Sequence, residues 1–311
     1  MKPAPFPKPQ PKPLILTNRD EDLLIEIYKY RFTTTQEITH LLFSKGSRTY
    51  VRSRLSKLSG NKDHAEGYPL YRFALPTAKT GNRERIYTLG RLGRDILESL
   101  GLPVDWAFKF AKLRTFSHSH LLHSLTLSRT VAAFHAWART KPTISLESRL
   151  SYELAKNPAV VSIPQQGKIL KVSVVPDTLV LVENIRSGQR LVILWEIDHN
   201  TESQPRFKQH IAARLAYVQS SHFTNIYGNI PYRIAYATQG ITDSAAKARL
   251  ASMCAWTMNV LTQLKKQEYS RFLCFTTVNF STLYEDAPAI FEAPRWYRPD
   301  DPATAVPLLT D

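Results

Sequence analysis

The chain has 311 residues, which is enough for two ordinary domains, and it carries a formal net charge of +15. Hydrophobic residues make up 43% and charged residues 22% of the chain, a composition typical of globular proteins and unlike that of disordered ones. No apolar run reaches transmembrane length and no signal-peptide pattern opens the sequence, so we expect a cytoplasmic protein without a membrane partner. The two cysteines, Cys254 and Cys274, fit a reducing compartment and exclude a zinc site built of thiolates.

The positive charge is concentrated in the first 115 residues. They hold 21 Lys and Arg against 11 Asp and Glu, which accounts for +10 of the total charge. This asymmetry indicates a polyanionic partner, and double-stranded DNA is the partner that we expect. Residues 1–15 are rich in proline and lysine and predict an extended, disordered tail before the first domain.

Residues 16–115 are predicted to form a winged helix DNA-binding domain. Capping boxes at Thr17 and Thr34 each begin a helix, and Ser47 begins a third one. A basic hairpin follows, as is typical of the wing that comes after a helix-turn-helix. The predicted helices cover about 17–30, 34–42 and 47–59, and the predicted strands cover 70–75 and 85–89.

The third predicted helix has an apolar stripe and a basic face. Val51, Leu55 and Leu58 follow helical spacing and are expected to face the core. The opposite face combines short hydroxyl side chains with arginine, which suits a recognition helix in the major groove, although a solvated basic face has the same pattern. The predicted DNA-binding residues are Arg48, Thr49, Arg52, Ser53, Ser56 and Lys57 on the helix and Lys79, Arg83 and Arg85 on the wing.

Residues 116–311 are predicted to form an α/β (α+β) domain with a mixed sheet flanked by helices. Two apolar, β-branched segments, 171–183 and 190–197, are expected to pair as a hairpin across a turn-rich connection. The segment 144–154 fits either a helix or a strand, and residues from 287 onward are expected to wrap the domain surface. Further helices are predicted at 120–139, 206–219 and 243–268, and further strands at 232–238 and 271–278.

Three carboxylates gather on the predicted hairpin. Glu196 and Asp198 lie two residues apart on one strand and therefore point to the same side, and Asp177 approaches them from the partner strand if the hairpin pairs in register. Oxygen ligands of this kind suit Mg²⁺ or Mn²⁺, which commonly support phosphodiester hydrolysis. Each carboxylate taken alone fits a solvated strand end equally well. Lys208, on the following helix, is the nearest candidate base.

With these features the chain resembles the replication-relaxation family of plasmid and mobile-element proteins. The resemblance is carried mainly by Pro176-Asp177 and by the run EIDHNTE at 196–202, with weaker support from the segment around His123 and from the wing exit at 87–93. The second domain is also similar to the PD-(D/E)XK nuclease superfamily, a restriction-endonuclease-like fold. That resemblance implies Asp177 and Glu196 as metal ligands.

One departure from the superfamily pattern bears on activity. The superfamily has a lysine two residues after the glutamate, where it would orient the attacking water, and this chain has Asp198 there. Asp198 suits a second cation. Lys208 is the nearest candidate for a displaced lysine, and Lys168 and Lys171 are weaker candidates. His123 is expected to pack or to form a hydrogen bond. The resulting candidate catalytic residues are Asp177, Glu196, Asp198 and Lys208, and the candidate Mg²⁺ or Mn²⁺ ligands are the three carboxylates.

Three functions follow from these observations. The first is a DNA-binding protein of a plasmid or mobile element that acts in replication, relaxation or mobilisation, with metal-dependent nuclease or nickase activity. The second is a non-catalytic winged-helix regulator or initiator, whose nuclease-like domain serves dimerisation or partner docking. The third is an interaction subunit of a larger nucleoprotein machine. The retained acidic trio favours the first and the missing lysine favours the second. Other replication or mobilisation proteins and a second copy of the chain are further expected partners.

Overall fold

The computed structural model describes residues 15–60, 67–74, 84–105, 117–165, 167–200, 202–240, 242–285 and 287–309. It divides into two compact units, with the boundary between His118 and Ser119. The predicted N-terminal tail, the tip of the wing and the domain boundary near residue 116 fall largely outside the described residues. None of the helices in the described ranges has the length and apolarity that crossing a membrane requires.

The described part of the N-terminal unit consists of helices and a small antiparallel sheet. Its elements are α1 (Asn18–Tyr30), β1 (Thr33–Thr34), α2 (Thr35–Leu42), α3 (Arg48–Ser59), β2 (Leu70–Ala74), β3 (Arg85–Leu89) and α4 (Arg91–Ser99). Strand β3 is central and pairs antiparallel with both β1 and β2. The sheet therefore links the segment between α1 and α2 to the hairpin that follows α3.

Two capping boxes begin α1 and α2, as the sequence predicts. The Asp20 carboxylate accepts the Thr17 N–H at 2.7 Å, and the Glu37 carboxylate accepts the Thr34 N–H at 2.7 Å. These bonds satisfy amide groups that a helix N-terminus leaves without partners. The predicted stripe of α3 is also confirmed, because its apolar side chains are fully buried in the core of this unit; they are Val51, Leu55 and Leu58.

A close approach of α4 to the start of β2 explains why Gly90 and Gly93 are glycines. A Cβ atom at Gly93 would lie 2.2 Å from the backbone oxygen of Pro69, and one at Gly90 would lie 2.8 Å from that of Tyr68. The Gly90 N–H donates to the Pro69 carbonyl at 2.8 Å. Only glycine permits this contact between the start of α4 and the start of the hairpin.

The second unit is built around one mixed sheet. Its helices are α5 (His118–Ala138), α6 (Ser151–Leu154), α7 (Gln204–Val218), α8 (Ser221–Tyr227), α9 (Asp243–Leu264) and α10 (Ala287–Glu292). Its strands are β4 (Ile144–Leu150), β5 (Ala159–Gln165), β6 (Lys168–Val174), β7 (Thr178–Asn184), β8 (Arg190–Asp198), β9 (Tyr232–Thr238), β10 (Leu273–Thr277), β11 (Trp296–Tyr297) and β12 (Ala305–Val306). The main sheet has the order β12-β11-β10-β9-β8-β7-β4, with β8, β9 and β10 parallel and the other neighbours antiparallel. The predicted mixed α/β sheet is confirmed.

Helices cover both faces of this sheet. Val192 and Leu194 of β8 belong to the core that α7 and α9 cover. Trp195 points to the other face, where its ring contacts Phe134 of α5 and Phe291 of α10. The alternation of side chains along β8 thus assigns Glu196 and Asp198 to the α7 and α9 side.

Two predictions for the second unit need correction, one for a strand and one for the C-terminal residues. The segment 171–183 is not one strand, because it breaks at Val175–Asp177 into β6 and β7. Pro176 has no N–H for a ladder bond. Strand β6 pairs with β5 in a separate two-stranded hairpin rather than in the main sheet. The C-terminal residues, expected on the surface, instead add α10, β11 and β12, with Trp296 fully buried.

Candidate functional site

The outward face of α3 carries the helix residues that the sequence predicts to contact DNA. Ser56 is partly exposed, and the others are exposed: Arg48, Thr49, Arg52, Ser53 and Lys57. Arg54 is turned away, since its guanidinium pairs with Asp20 of α1 and donates to the Ile15 carbonyl at 2.9 Å. Burial would raise the pKa of Asp20, but the hydrogen bonds from Arg54 and Thr17 together with the charge of Arg54 lower it. Arg54 therefore fixes α3 against α1 and leaves the outer face to the other residues.

Tyr87 of β3 is buried, and the charges of arginines from three elements act on its hydroxyl. Burial raises the pKa of the Tyr87 hydroxyl, while the positive charges of Arg72, Arg85 and Arg52 oppose that rise. Arg52 belongs to α3, Arg72 to β2 and Arg85 to β3, so the helix and the hairpin present positive charge to one region. The predicted wing residues Lys79 and Arg83 lie outside the described residues.

In the second unit, Asp177 connects α5 with β8. The His123 Nε2 atom of α5 lies 3.1 Å from one Asp177 carboxylate oxygen, and the other oxygen accepts the Ile197 N–H at 2.7 Å. Burial would lower the pKa of His123, but the hydrogen bond and the charge of Asp177 raise it. Burial would likewise raise the pKa of Asp177, and His123 lowers it. The sequence predicts that Asp177 approaches Glu196 and Asp198, and its contact on β8 is the N–H of Ile197, which lies between them. The predicted hydrogen bond of His123 is confirmed.

Glu196 forms a buried ion pair with Arg214 of α7. The guanidinium contacts both carboxylate oxygens, with Nη2 at 3.1 Å from Oε2, and Nη2 also donates to the Val175 carbonyl at 3.0 Å. Burial raises the pKa of Glu196, an effect that Arg214 opposes and the charge of Asp177 reinforces. Burial would lower the pKa of Arg214, but Glu196 raises it, so the guanidinium stays charged.

Asp198 forms a second buried ion pair, with Arg249 of α9. The Arg249 Nε and Nη2 atoms donate to the two carboxylate oxygens at 2.8 and 3.1 Å, and the Thr238 hydroxyl donates at 2.9 Å. Arg249 also donates to the Glu202 carbonyl at 2.9 Å, which ties the chain after β8 to α9. The Glu202 side chain contacts His210 Nδ1 at 2.8 Å.

A comparison with known protein families assigns the chain to a family. A family model described as replication-relaxation matches residues 24–232, which extend from α1 to the first residue of β9 and make up more than half of the chain. The chain belongs to the replication-relaxation family. Among curated proteins, no relative matches it. The matched range includes α3 and all three carboxylates.

The carboxylates of this replication-relaxation protein are not paired with Lys208, the base that the sequence predicts. Lys208 donates to Asn259 of α9 at 2.8 Å, and the carboxylates are instead paired with His123, Arg214 and Arg249. A signal for the two arginines is present in the sequence. Arg214 lies seven residues after Phe207 and three after Ile211, on the buried stripe of α7, and a charged residue on such a stripe requires a buried partner.

The carboxylates of the replication-relaxation protein do not converge on one point. Each accepts hydrogen bonds from a different cationic side chain, and within the described ranges no three His, Cys, Asp or Glu side chains are arranged to hold a metal ion. As they stand, the residues do not fit a Mg²⁺ or Mn²⁺ site, and the predicted metal remains a prediction. The arrangement attaches α7 and α9 to the end of β8 through ion pairs, and it attaches α5 through His123 and Asp177.

Proposed function

We propose that this replication-relaxation protein binds double-stranded DNA through the outward face of α3, in the replication or relaxation of a plasmid or other mobile element. The observation that carries the proposal is the exposure of Arg48, Arg52 and Lys57 together with the hydroxyls of Thr49 and Ser53. No Asp or Glu occurs between Glu37 and Asp63, whereas six Lys and Arg do. A helix surface of this charge attracts phosphate, and its hydroxyls and arginines suit base edges.

The order of elements supports the same proposal. Two helices, α2 and α3, are followed by the antiparallel hairpin β2–β3, and β1 pairs with β3 from the segment before α2. This is the order of a winged helix, in which the second helix of the helix-turn-helix enters the major groove. The exposed Arg85 is at the start of β3, where the wing reaches toward the DNA backbone.

For the second unit we propose a non-catalytic role as a scaffold for partner or DNA contacts. The ion pairs of Glu196 and Asp198 support this role, because each carboxylate is already neutralised by a buried guanidinium. Metal-dependent DNA cleavage is the second candidate. It is favoured by the position of Asp177, whose carboxylate accepts the N–H of Ile197, the residue after Glu196.

Fluorescence anisotropy of the full-length protein with duplex DNA tests the role of α3. We expect Arg52→Ala to weaken binding to the preferred sequence by about 1–3 kcal/mol if it contacts guanine, and to reduce the preference itself. Lys57→Ala should weaken binding to all duplexes about equally and lower the salt dependence by about one unit of slope. The matched control is Arg91→Ala, which removes an exposed arginine of α4. If Arg52→Ala and Arg91→Ala have the same effect on every duplex, the proposal is wrong.

A further inference from the structure

The hairpin β5–β6 stands apart from the main sheet of the second unit. In the described residues its two strands pair only with each other. One face is apolar and buried in the core that α7 and α9 cover; its side chains are Ala159, Val161, Ile163 and Val174. The packing of this inner face fixes the orientation of the hairpin and turns its other face toward solvent.

The solvent-facing side, which we call the hairpin face, consists of three cross-strand pairs: Val160 with Ser173, Ser162 with Lys171, and Pro164 with Ile169. All six residues are exposed, with relative exposures of 62% for Val160 and 78% for Ile169. The pair of Pro164 and Ile169 lies near the tip. Lys171 shares its face, whereas the exposed Lys168 pairs with Gln165 and lies on the opposite face of the tip. An exposed apolar pair framed by lysines indicates a contact surface.

The charge of the hairpin identifies the partner. Between Glu153 and Asp177 the chain carries Lys156, Lys168 and Lys171 and no Asp or Glu. A protein partner for this surface would need an acidic patch, whereas DNA supplies regularly spaced phosphates next to apolar sugar and base edges. The hydroxyls of Ser162 and Ser173, on either side of Lys171, add donors suited to phosphate oxygens.

We propose that the hairpin face is a second contact for duplex DNA, separate from α3. Lys168 and Lys171 bind phosphates on the two sides of a minor groove, and Pro164 and Ile169 enter the groove as a wedge against the bases. Isoleucine and proline are among the side chains that wedge between base steps, and such wedges kink a duplex by about 20–90°. The residues involved belong to the second unit alone, so this contact does not depend on the role proposed for α3.

The salt dependence of binding by the full-length protein tests the phosphate contacts. The double variant Lys168→Gln/Lys171→Gln should lower the slope of log K against log salt by about 2, since each lysine that contacts a phosphate contributes about one unit. The matched control, Arg186→Gln/Arg190→Gln, removes two exposed arginines from the β7–β8 connection and should change the slope little. Equal slopes for the two double variants overturn the proposal, whatever the effect of Arg52→Ala.

The bend angle tests the wedge. Energy transfer between dyes at the two ends of a duplex should report a bend with the wild-type protein, and Ile169→Ser should lose at least half of it. Ile185→Ser, which changes an equally apolar side chain with 63% exposure in another turn, should keep the bend. The proposal is overturned if the wild-type protein leaves the duplex straight. It is also overturned if Ile169→Ser keeps the bend but converts a dimer into a monomer in light scattering, which would assign the face to a second copy of the chain.

Discussion

The contact between His123 and Asp177 depends on pH, because its charge changes when the imidazole is protonated. Protonation of His123 turns a hydrogen bond between a neutral imidazole and the Asp177 carboxylate into an ion pair, and Asp177 raises the pKa of His123 in spite of burial. The charge of Glu196 also favours the protonated imidazole of His123. The neighbouring His199 does not favour it, and the ring centroids of the two histidines are 5.9 Å apart. The pair joins the first helix of the second unit to the start of β7, so its charge state affects how firmly α5 is held.

The stability that this pair contributes has a defined pH window. A raised His123 pKa means that its contribution is complete below the unfolded value of 6.5 and is lost as the pH rises through the folded value. A lowered Asp177 pKa means that its contribution is present above the unfolded value of 3.8 and is lost as the pH falls through the folded value. We therefore expect His123→Gln to lower the melting temperature most between about pH 4 and 6.5, and less toward pH 9.

A double-mutant cycle with Asp177→Asn provides the control for this prediction. Both side chains are partly exposed, so we expect a coupling of about 1 kcal/mol near pH 6, the lower part of the range for charged hydrogen bonds. The coupling should shrink at pH 9. A penalty for His123→Gln that stays the same from pH 5 to pH 9 would show that the residue acts by packing alone.

At the level of the elements, α7 and α9 are joined to β8 by one buried arginine each. Arg214 and Arg249 are 5% and 9% exposed, and they reach Glu196 and Asp198 at the end of the strand. Removing one member of a buried ion pair leaves an uncompensated charge, whereas removing both members at once is much less costly. The same contacts that neutralise the carboxylates therefore also fix the two helices on the sheet.

Arg214→Met should destabilise the second unit by about 3–5 kcal/mol, because it leaves the Glu196 carboxylate buried without its partner. Urea unfolding followed by tryptophan fluorescence measures this, since four of the five tryptophans lie in the second unit. Arg206→Met is the matched control on the same helix. The Arg206 side chain is 69% exposed and lies 3.5 Å from its partner Glu202, so we expect the substitution to cost less than about 1 kcal/mol of stability. Adding Glu196→Gln to Arg214→Met should recover part of the loss, and a double variant no more stable than the single one would contradict this explanation.

Elements whose sequence patterns lie within a few neighbouring residues could be predicted from the sequence. The capping boxes at Thr17 and Thr34 depend on residues three positions apart, and the stripe of α3 depends on helical spacing. The hairpin β5–β6 was missed because β6 and β7 are contiguous apolar segments, and only Pro176 marks the point where they separate into different sheets. The strands at the C-terminus were missed because each is only two residues long.

At the scale of the whole molecule, the three predicted carboxylates all lie beside the end of β8, but their partners could not be predicted from the sequence. Arg214 follows Glu196 by 18 positions and Arg249 follows Asp198 by 51, and these distances are bridged only when α7 and α9 pack on the sheet. Lys208 was selected because it is near in sequence, yet it contacts Asn259. Long-range ion pairs of this kind depend on tertiary packing, which no local pattern specifies.

The same ion pairs determine what divalent metal should do to the whole protein. With Asp177, Glu196 and Asp198 already paired to His123, Arg214 and Arg249, we expect Mg²⁺ or Mn²⁺ to leave the melting temperature unchanged relative to a sample with chelator. A metal site would instead stabilise the fold by about 2.7 kcal/mol when the free metal concentration is a hundred times its Kd. Asp177→Asn separates a specific effect from a general one, because it removes one candidate ligand. A metal-dependent rise that this variant abolishes, together with metal-dependent nicking of supercoiled DNA by the wild-type protein, would replace the non-catalytic role of the second unit with that of a nuclease.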